Sequence, residues 1–329
     1  MTIICVTAAS SHFIKKTSIF AQNFIALKII FFGTPDFAVA SLRAIIDHGF
    51  DVVAVVTAPD KPAGRGMHVQ FSPVKKFALE KNIPVLQPEK LKDASFVEEL
   101  KNYHADIQVV IAFRMLPELI WSMPKLGTVN LHASILPDYR GAAPINWAII
   151  NGEKETGVCT FFLKHEIDTG DIIMSRKVKI TDGMNAGELH DILMRTGSEV
   201  IIETLKTIEN NSYQLTPQKK ESGKTAPKIF TKHCHIDWNN EGEKIHNLVR
   251  GMCPYPGAFT ELDGKVLKIY ECKFIADNEM EKHPGEMITD GKSFMRFACK
   301  NGWIDLKNVQ LSGKRKMAID ELLRGYRVS

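Results

Sequence analysis

From Leu27 to about Asn210 the chain alternates short apolar runs with segments of helical spacing, and this alternation restricts it to one kind of architecture. The run LKIIFF (27–32) ends at Gly33, and PDFAVASLRAIIDH (35–48) repeats apolar residues at the period of a helix. Thr34 is expected to cap that helix, with Pro35 at its first position and Gly49 as its stop. DVVAVVT (51–57) reads as a second buried strand, Pro73 to Asn82 as a helix capped by Ser72, and PVLQP (84–88) as a short third strand. A helix over 93–103 leads to DIQVVIAF (106–113), then come the strand GTVNLHAS (127–134) and a helix from about Ala143 to Ile150. Such alternation builds a doubly wound, Rossmann-like, mostly parallel sheet with helices on both faces, the α/β class. ETGVCTFFLK (155–164) and DIIMSRKVKI (171–180) add a strand pair joined by HEIDTG, and a long helix from about Asn185 to Glu209 closes this domain, 27–209.

The text then changes. Residues 210–232 are polar, rich in lysine and hold two prolines, which marks a basic interdomain linker. Beyond a helix near 241–251, short alternating strands are punctuated by Asp263-Gly264, Asp290-Gly291 and Asn301-Gly302, a spacing that predicts a small OB-like β-barrel over 233–329. Residues 1–26 hold no acid, no arginine and two lysines that follow the apolar run, so they fit neither a transit peptide nor a secretory signal. They are expected to be a disordered extension.

Charge divides the two halves. From Asn210 onward there are 20 Lys and Arg against 15 Asp and Glu, whereas the whole chain carries only +4, so the basic excess is C-terminal and invites an anionic partner. No apolar stretch reaches the roughly 18 residues of a membrane span. The six cysteines (Cys5, Cys159, Cys234, Cys253, Cys272, Cys299) are scattered and contain no Cys-x-x-Cys pair, which fits reduced thiols in the cytoplasm. His233-Cys234-His235 has no partner cluster, so no metal is expected. Gly33-Thr34-Pro35 follows the first strand but is not G-x-G-x-x-G, and Pro35 removes an N–H that a phosphate would need; a nicotinamide cofactor is not expected.

In an open parallel sheet ligands bind outside the carboxyl ends of the strands. Asn130 and His132 stand at such an end, two apart and therefore on one face. An imidazole and a carboxamide there offer a proton acceptor and a hydrogen-bond donor to one reacting carbonyl. Asp168, in HEIDTG, reaches His132 if that hairpin folds back over the sheet edge, and would fix its tautomer. The bland reading of His132 alone is a satisfied core histidine. The loop APDKPAGRGMHVQFS (58–72), with Lys61, Arg65 and His68, is long for a compact domain, and such loops tend to be functional. Trp238, Tyr255, Phe259 and Trp303 could stack bases, but in a small barrel most such rings fill the core.

NLHASILPDYRGAAP (130–144), preceded by GTPDFA (33–38) and followed by DTGDI (168–172), resembles the formyltransferase family that uses 10-formyltetrahydrofolate, and within it the formyltransferases of initiator tRNA. The likeness runs through nearly the whole chain from Leu27 onward. It implies an enzyme that moves a formyl group from 10-formyltetrahydrofolate to methionyl initiator tRNA, needing no metal and no membrane and acting as a monomer. It implies Asn130 and His132 as the catalytic pair, with Asp168 orienting the histidine. The folate would lie along FRMLP (113–117) and SILP (134–137), on Met115, Leu116, Ser134, Ile135, Leu136 and Pro137. In the first of these the family carries Tyr-Gly-x-x-Leu-Pro, one residue longer than here. PDKPAGRG (59–66) resembles the insertion that grips the tRNA acceptor stem, which implies Lys61 and Arg65 as tRNA contacts, and the C-terminal barrel as a tRNA-binding domain. A formyltransferase acting on an amino sugar nucleotide or a purine precursor, a hydrolase of the formyl donor and a noncatalytic RNA-binding protein are the competing readings.

Overall fold

The computed structural model describes residues 27–63, 68–219, 223–277 and 281–326. The extension 1–26 and Arg65 lie outside them. The first strand, β1 (Lys28–Gly33), shows why its apolar run is unbroken: Ile29 and Phe31 face one buried cluster, Ile30 and Phe32 another. Helix α1 (Asp36–Asp47) follows, and Phe37, Ala38, Leu42 and Ile45 cover the first face. Its N-cap is Pro35, with no side-chain cap, so Thr34 does not take the expected role. The extended Pro35 (ψ 176°) starts the helix one residue later than expected and leaves Thr34 outside it; Asp36 in the first turn complements the helix dipole instead.

Strand β2 (Asp51–Val56) leads into the hairpin β3 (Lys61–Ala63) and β4 (His68–Gln70), so both legs of the long loop are paired strands. Helix α2 (Pro73–Glu80) is capped by Ser72, whose Oγ accepts from Lys75 N at 3.0 Å. Then come β5 (Val85–Leu86), α3 (Ala94–Asn102), β6 (Ile107–Ile111), α4 (Glu118–Trp121), β7 (Thr128–His132), β8 (Arg140–Gly141), α5 (Pro144–Ile150), β9 (Glu155–Phe162), β10 (Ile172–Lys179) and α6 (Ala186–Glu209). The sheet order is β10-β9-β7-β6-β1-β2-β5, parallel except where β9 pairs antiparallel with β7 and β10. A capping box fixes the start of α6: Asn185 Oδ1 accepts from Glu188 N and the Glu188 carboxylate accepts from Asn185 N.

The segment after α6 lies against the first sheet. Thr216 exchanges backbone hydrogen bonds with Ile172, and β11 (Thr225–Ala226) pairs in parallel with β8. After α7 (Thr231–Cys234) and α8 (Gly242–Met252), the second sheet holds β12 (Ala258–Leu262), β13 (Lys265–Ala276), β14 (Met287–Thr289), β15 (Met295–Cys299) and β16 (Gly302–Leu311). Its order is β12-β13-β16-β15-β14, with β17 (Met317–Ala318) on β16 and α9 (Ile319–Gly325) behind. It is a curled antiparallel half-barrel, and among the described residues no ladder joins its two ends. Its turn at Asp263-Gly264 has both residues at positive φ, as a two-residue hairpin demands. Trp238 stacks on Phe297 at 4.7 Å, an interior use of the ring, whereas Tyr255 is exposed.

The two units touch along α5 and α8. Asn146 Nδ2 donates to Gly251 O at 2.7 Å, Arg250 Nη1 to Met184 O at 2.6 Å, and Ile150 packs on the second core. Among the described residues no helix is long and apolar enough to cross a membrane, and no group of three or more His, Cys, Asp or Glu could hold a metal ion.

Candidate active site

Strands β1, β6 and β7 finish side by side, and the winding direction reverses between β1 and β6, which opens a crevice at their carboxyl ends. A cavity of about 900 Å³ fills it. Asn130 and His132 both line that cavity from β7, as their spacing requires. Among the described residues the Asn130 amide has no hydrogen-bond partner, so its N–H groups remain available to a ligand.

His132 is buried, and its Nε2 lies 2.9 Å from the Tyr139 carbonyl oxygen. A carbonyl can only accept, so Nε2 carries the hydrogen and the neutral ring keeps its lone pair on Nδ1. Nδ1 stands 4.0 Å from Asp168 Oδ2, beyond hydrogen-bond range. From the sequence Asp168 is expected to orient His132; in the structure the hydrogen bond of the ring goes to the Tyr139 carbonyl, and the Asp168 carboxylate lies beside Nδ1 without bonding it. Its own Oδ2 accepts from Gly141 N at 3.1 Å, and its backbone sits at φ +54°.

Tyr139 is a residue that reading the sequence did not single out. Its N–H donates to Lys224 O at 2.6 Å, and its hydroxyl donates to Glu153 Oε1 and accepts from Asn151 Nδ2. Burial, reinforced by the hydrogen bond to Glu153, holds this phenol well above its ordinary titration range, so it stays neutral. The SILP segment builds the turn beneath it. Ser134 Oγ donates to Asp138 O at 2.6 Å and Leu136 packs with Cys159 and Phe161. Ser134, Ile135, Leu136 and Pro137 do not line the cavity; Met115 and Leu116 do. Lys61 is exposed on the β3 leg of its hairpin, apart from the cavity.

Cys159 faces His132 across the β7–β9 ladder. Burial, with the Asp168 charge adding to it, pushes this thiol up to about 12, so it is neutral near pH 7 and no nucleophile. On the other wall, Phe113, Arg114 and Met115 follow Ala112 at φ +49°, and their peptide groups make no hydrogen bond with another described peptide group. Arg114 and Met115 are exposed, so these peptide groups are open to solvent and to a ligand bearing donors and acceptors.

The family model described as formyl transferase matches residues 27–205, and that described as formyl transferase, C-terminal domain, matches residues 228–327. The chain is 50% identical over 313 residues to the methionyl-tRNA formyltransferase of Bacteroides thetaiotaomicron, covering 92% of this chain and 97% of that one. It is also 50% identical over 308 residues to the methionyl-tRNA formyltransferase of Flavobacterium johnsoniae, with 92% and 97% covered. Its fold is similar to that of WlaRD, a sugar 3N-formyl transferase, at a TM-score of 0.64 and 21% identity over 88% of this chain and 99% of that one. HypX from Aquifex aeolicus in complex with tetrahydrofolic acid is similar at a TM-score of 0.59 and 19% identity, over 92% of this chain and 48% of HypX. Two family models in register along one chain, with half of its residues shared across relatives of the same length, show that the chain belongs to the formyl transferase family.

Proposed function

We propose that the protein transfers the formyl group of 10-formyltetrahydrofolate to the amino group of methionyl initiator tRNA, in the cytoplasm and as a monomer. The observation that carries this reading is the convergence of Asn130, His132 and Asp168 on one cavity, in a chain 50% identical over 92% of its length to a methionyl-tRNA formyltransferase. One chain supplies both the cavity and the basic second unit, so no second copy is required. The Met115 and Leu116 wall, with its unpaired peptide groups, suits the folate, while Ser134 to Pro137 act through the turn that aims the Tyr139 carbonyl.

The reaction needs neither a protein nucleophile nor a metal. The methionyl amine attacks the formyl carbon, and a C–N bond forms as the carbonyl oxygen becomes an oxyanion that Asn130 Nδ2–H stabilises. His132 Nδ1 takes the proton of the attacking nitrogen, beside the Asp168 carboxylate. The bond from carbon to the folate nitrogen then breaks, that nitrogen receives the proton, and formylated tRNA and tetrahydrofolate leave. Asp168→Asn keeps the shape and removes the countercharge, so it should lower kcat by about tenfold or more with little change in donor KM. Steady-state kinetics with both substrates checks this, and an unchanged kcat would remove Asp168 from the chemistry.

For the tRNA, Lys61, on β3, and Arg65 are proposed as acceptor-stem contacts, and the basic C-terminal unit as a source of phosphate contacts. Arg65→Ala should impair formylation of tRNA yet spare slow hydrolysis of the folate donor, because hydrolysis uses no acceptor stem. Arg65→Lys keeps charge but loses the planar fork and should recover little if the fork is used. Equal losses in both reactions would move the role of Arg65 to the folate.

A further inference from the structure

Gln218 lies in the stretch that composition marks as an interdomain linker, yet its side chain is spent on loops that border the candidate site. Nε2 donates to the carbonyl oxygens of Asp168 at 2.9 Å and Gly170 at 2.7 Å. Oε1 accepts from Arg140 Nε at 3.2 Å and Nη2 at 2.5 Å. An amide has two N–H donors and two lone pairs, so this one uses its full capacity on two loops that lie 48 to 78 residues away in sequence.

Those two loops are the ones that flank the imidazole. Asp168, at φ +54°, carries the carboxylate 4.0 Å from Nδ1; Arg140 follows Tyr139, whose carbonyl receives Nε2–H. The loop carrying Asp168 is held at its ends, where Lys164 Nζ donates to Asp171 Oδ2 at 2.8 Å, His165 Nδ1 stands 3.4 Å from Glu118 Oε2 and Ile172 pairs with Thr216. Within it the Asp168 carboxylate accepts from Gly141 N and Thr169 Oγ1 donates to Glu166 O. A strained left-handed residue persists only where its surroundings over-determine it.

We infer that Gln218 is a positioning residue for the transfer reaction: it locks the Asp168 loop to the Tyr139–Arg140 turn and so sets the carboxylate and the carbonyl on either side of His132. Because it belongs to the segment leading into the second unit, the site is complete only when that segment lies against the first sheet. The inference rests on the roles of His132 and Asp168 proposed above.

The test is steady-state kinetics of the full chain with methionyl initiator tRNA and 10-formyltetrahydrofolate, comparing Gln218→Met, Gln218→Glu and His132→Ala. Methionine keeps the length of glutamine and removes all four hydrogen bonds. Glutamate keeps an acceptor for Arg140 but loses both donors to the Asp168 loop. Both variants should fold as the parent does by circular dichroism and lose between about tenfold and a hundredfold in kcat, with donor KM unchanged. Parent kcat in either folded variant would overturn the inference. So would a raised donor KM at unchanged kcat, which would place Gln218 at the folate. Failure of both variants to fold would overturn it too, since the role would then be structural. His132→Ala separates this failure from that of the site itself: if it retains turnover the catalytic assignment falls, and if it alone is inactive only the role of Gln218 falls.

Discussion

His132→Ala is expected to lower kcat by at least about a hundredfold while leaving the fold and the donor KM close to those of the parent. The imidazole has a fixed tautomer, its Nε2–H held by the Tyr139 carbonyl and its Nδ1 beside Asp168. Removing it takes away the proton acceptor, and the amine must then lose its proton to water. Asn130→Ala should cost a similar factor, because loss of one oxyanion donor is worth on the order of 3 kcal/mol at the transition state. Neither change removes a residue from the Met115 and Leu116 wall, so folate affinity measured by titration should hold. Near-normal turnover in both variants would transfer the chemistry to other residues of the cavity.

A clear loss of stability is expected from a side chain at Gly141. Its φ is +125°, a conformation L side chains rarely adopt, and a Cβ there would stand 2.4 Å from Ala226 O and 2.9 Å from Ala226 C. Both atoms are backbone, part of the β8–β11 pairing, and cannot swing away. Gly141→Ala thus meets a backbone penalty of about 1–3 kcal/mol and an overpacking penalty of similar size. A drop of several degrees in Tm should follow. Because Gly141 N–H is a donor to Asp168, turnover of the still-folded fraction should fall as well. A parent-like Tm would mean that β11 is not paired with β8 as described.

The order of strands and helices was open to reading because burial on both faces leaves a continuous apolar run such as IIFF at 29–32, and helices leave their own period. Asn130 and His132 could be paired from spacing alone, since a strand puts alternate residues on one face. Three features escaped for physical reasons. Tyr139 acts at His132 through its carbonyl, which every residue possesses, so no residue type announces it. Gln218 sits in a polar, proline-bearing stretch whose composition describes an average and not the contacts made 50 residues away. Ser134 to Pro137 carry a recognisable motif, but motif text does not say whether a side chain faces a ligand or closes the turn behind it. Thr34 shows the same limit at one residue, because a capping residue followed by proline can stand one place too early.

The central claim is tested most directly by offering the protein two acceptors with the same donor. The full chain is incubated with 10-formyltetrahydrofolate and either methionyl initiator tRNA or a dTDP-linked amino sugar, and formylated product is measured over time. Formylation of the methionyl-tRNA with none of the sugar is the expected result; formylation of the sugar with none of the tRNA would contradict it.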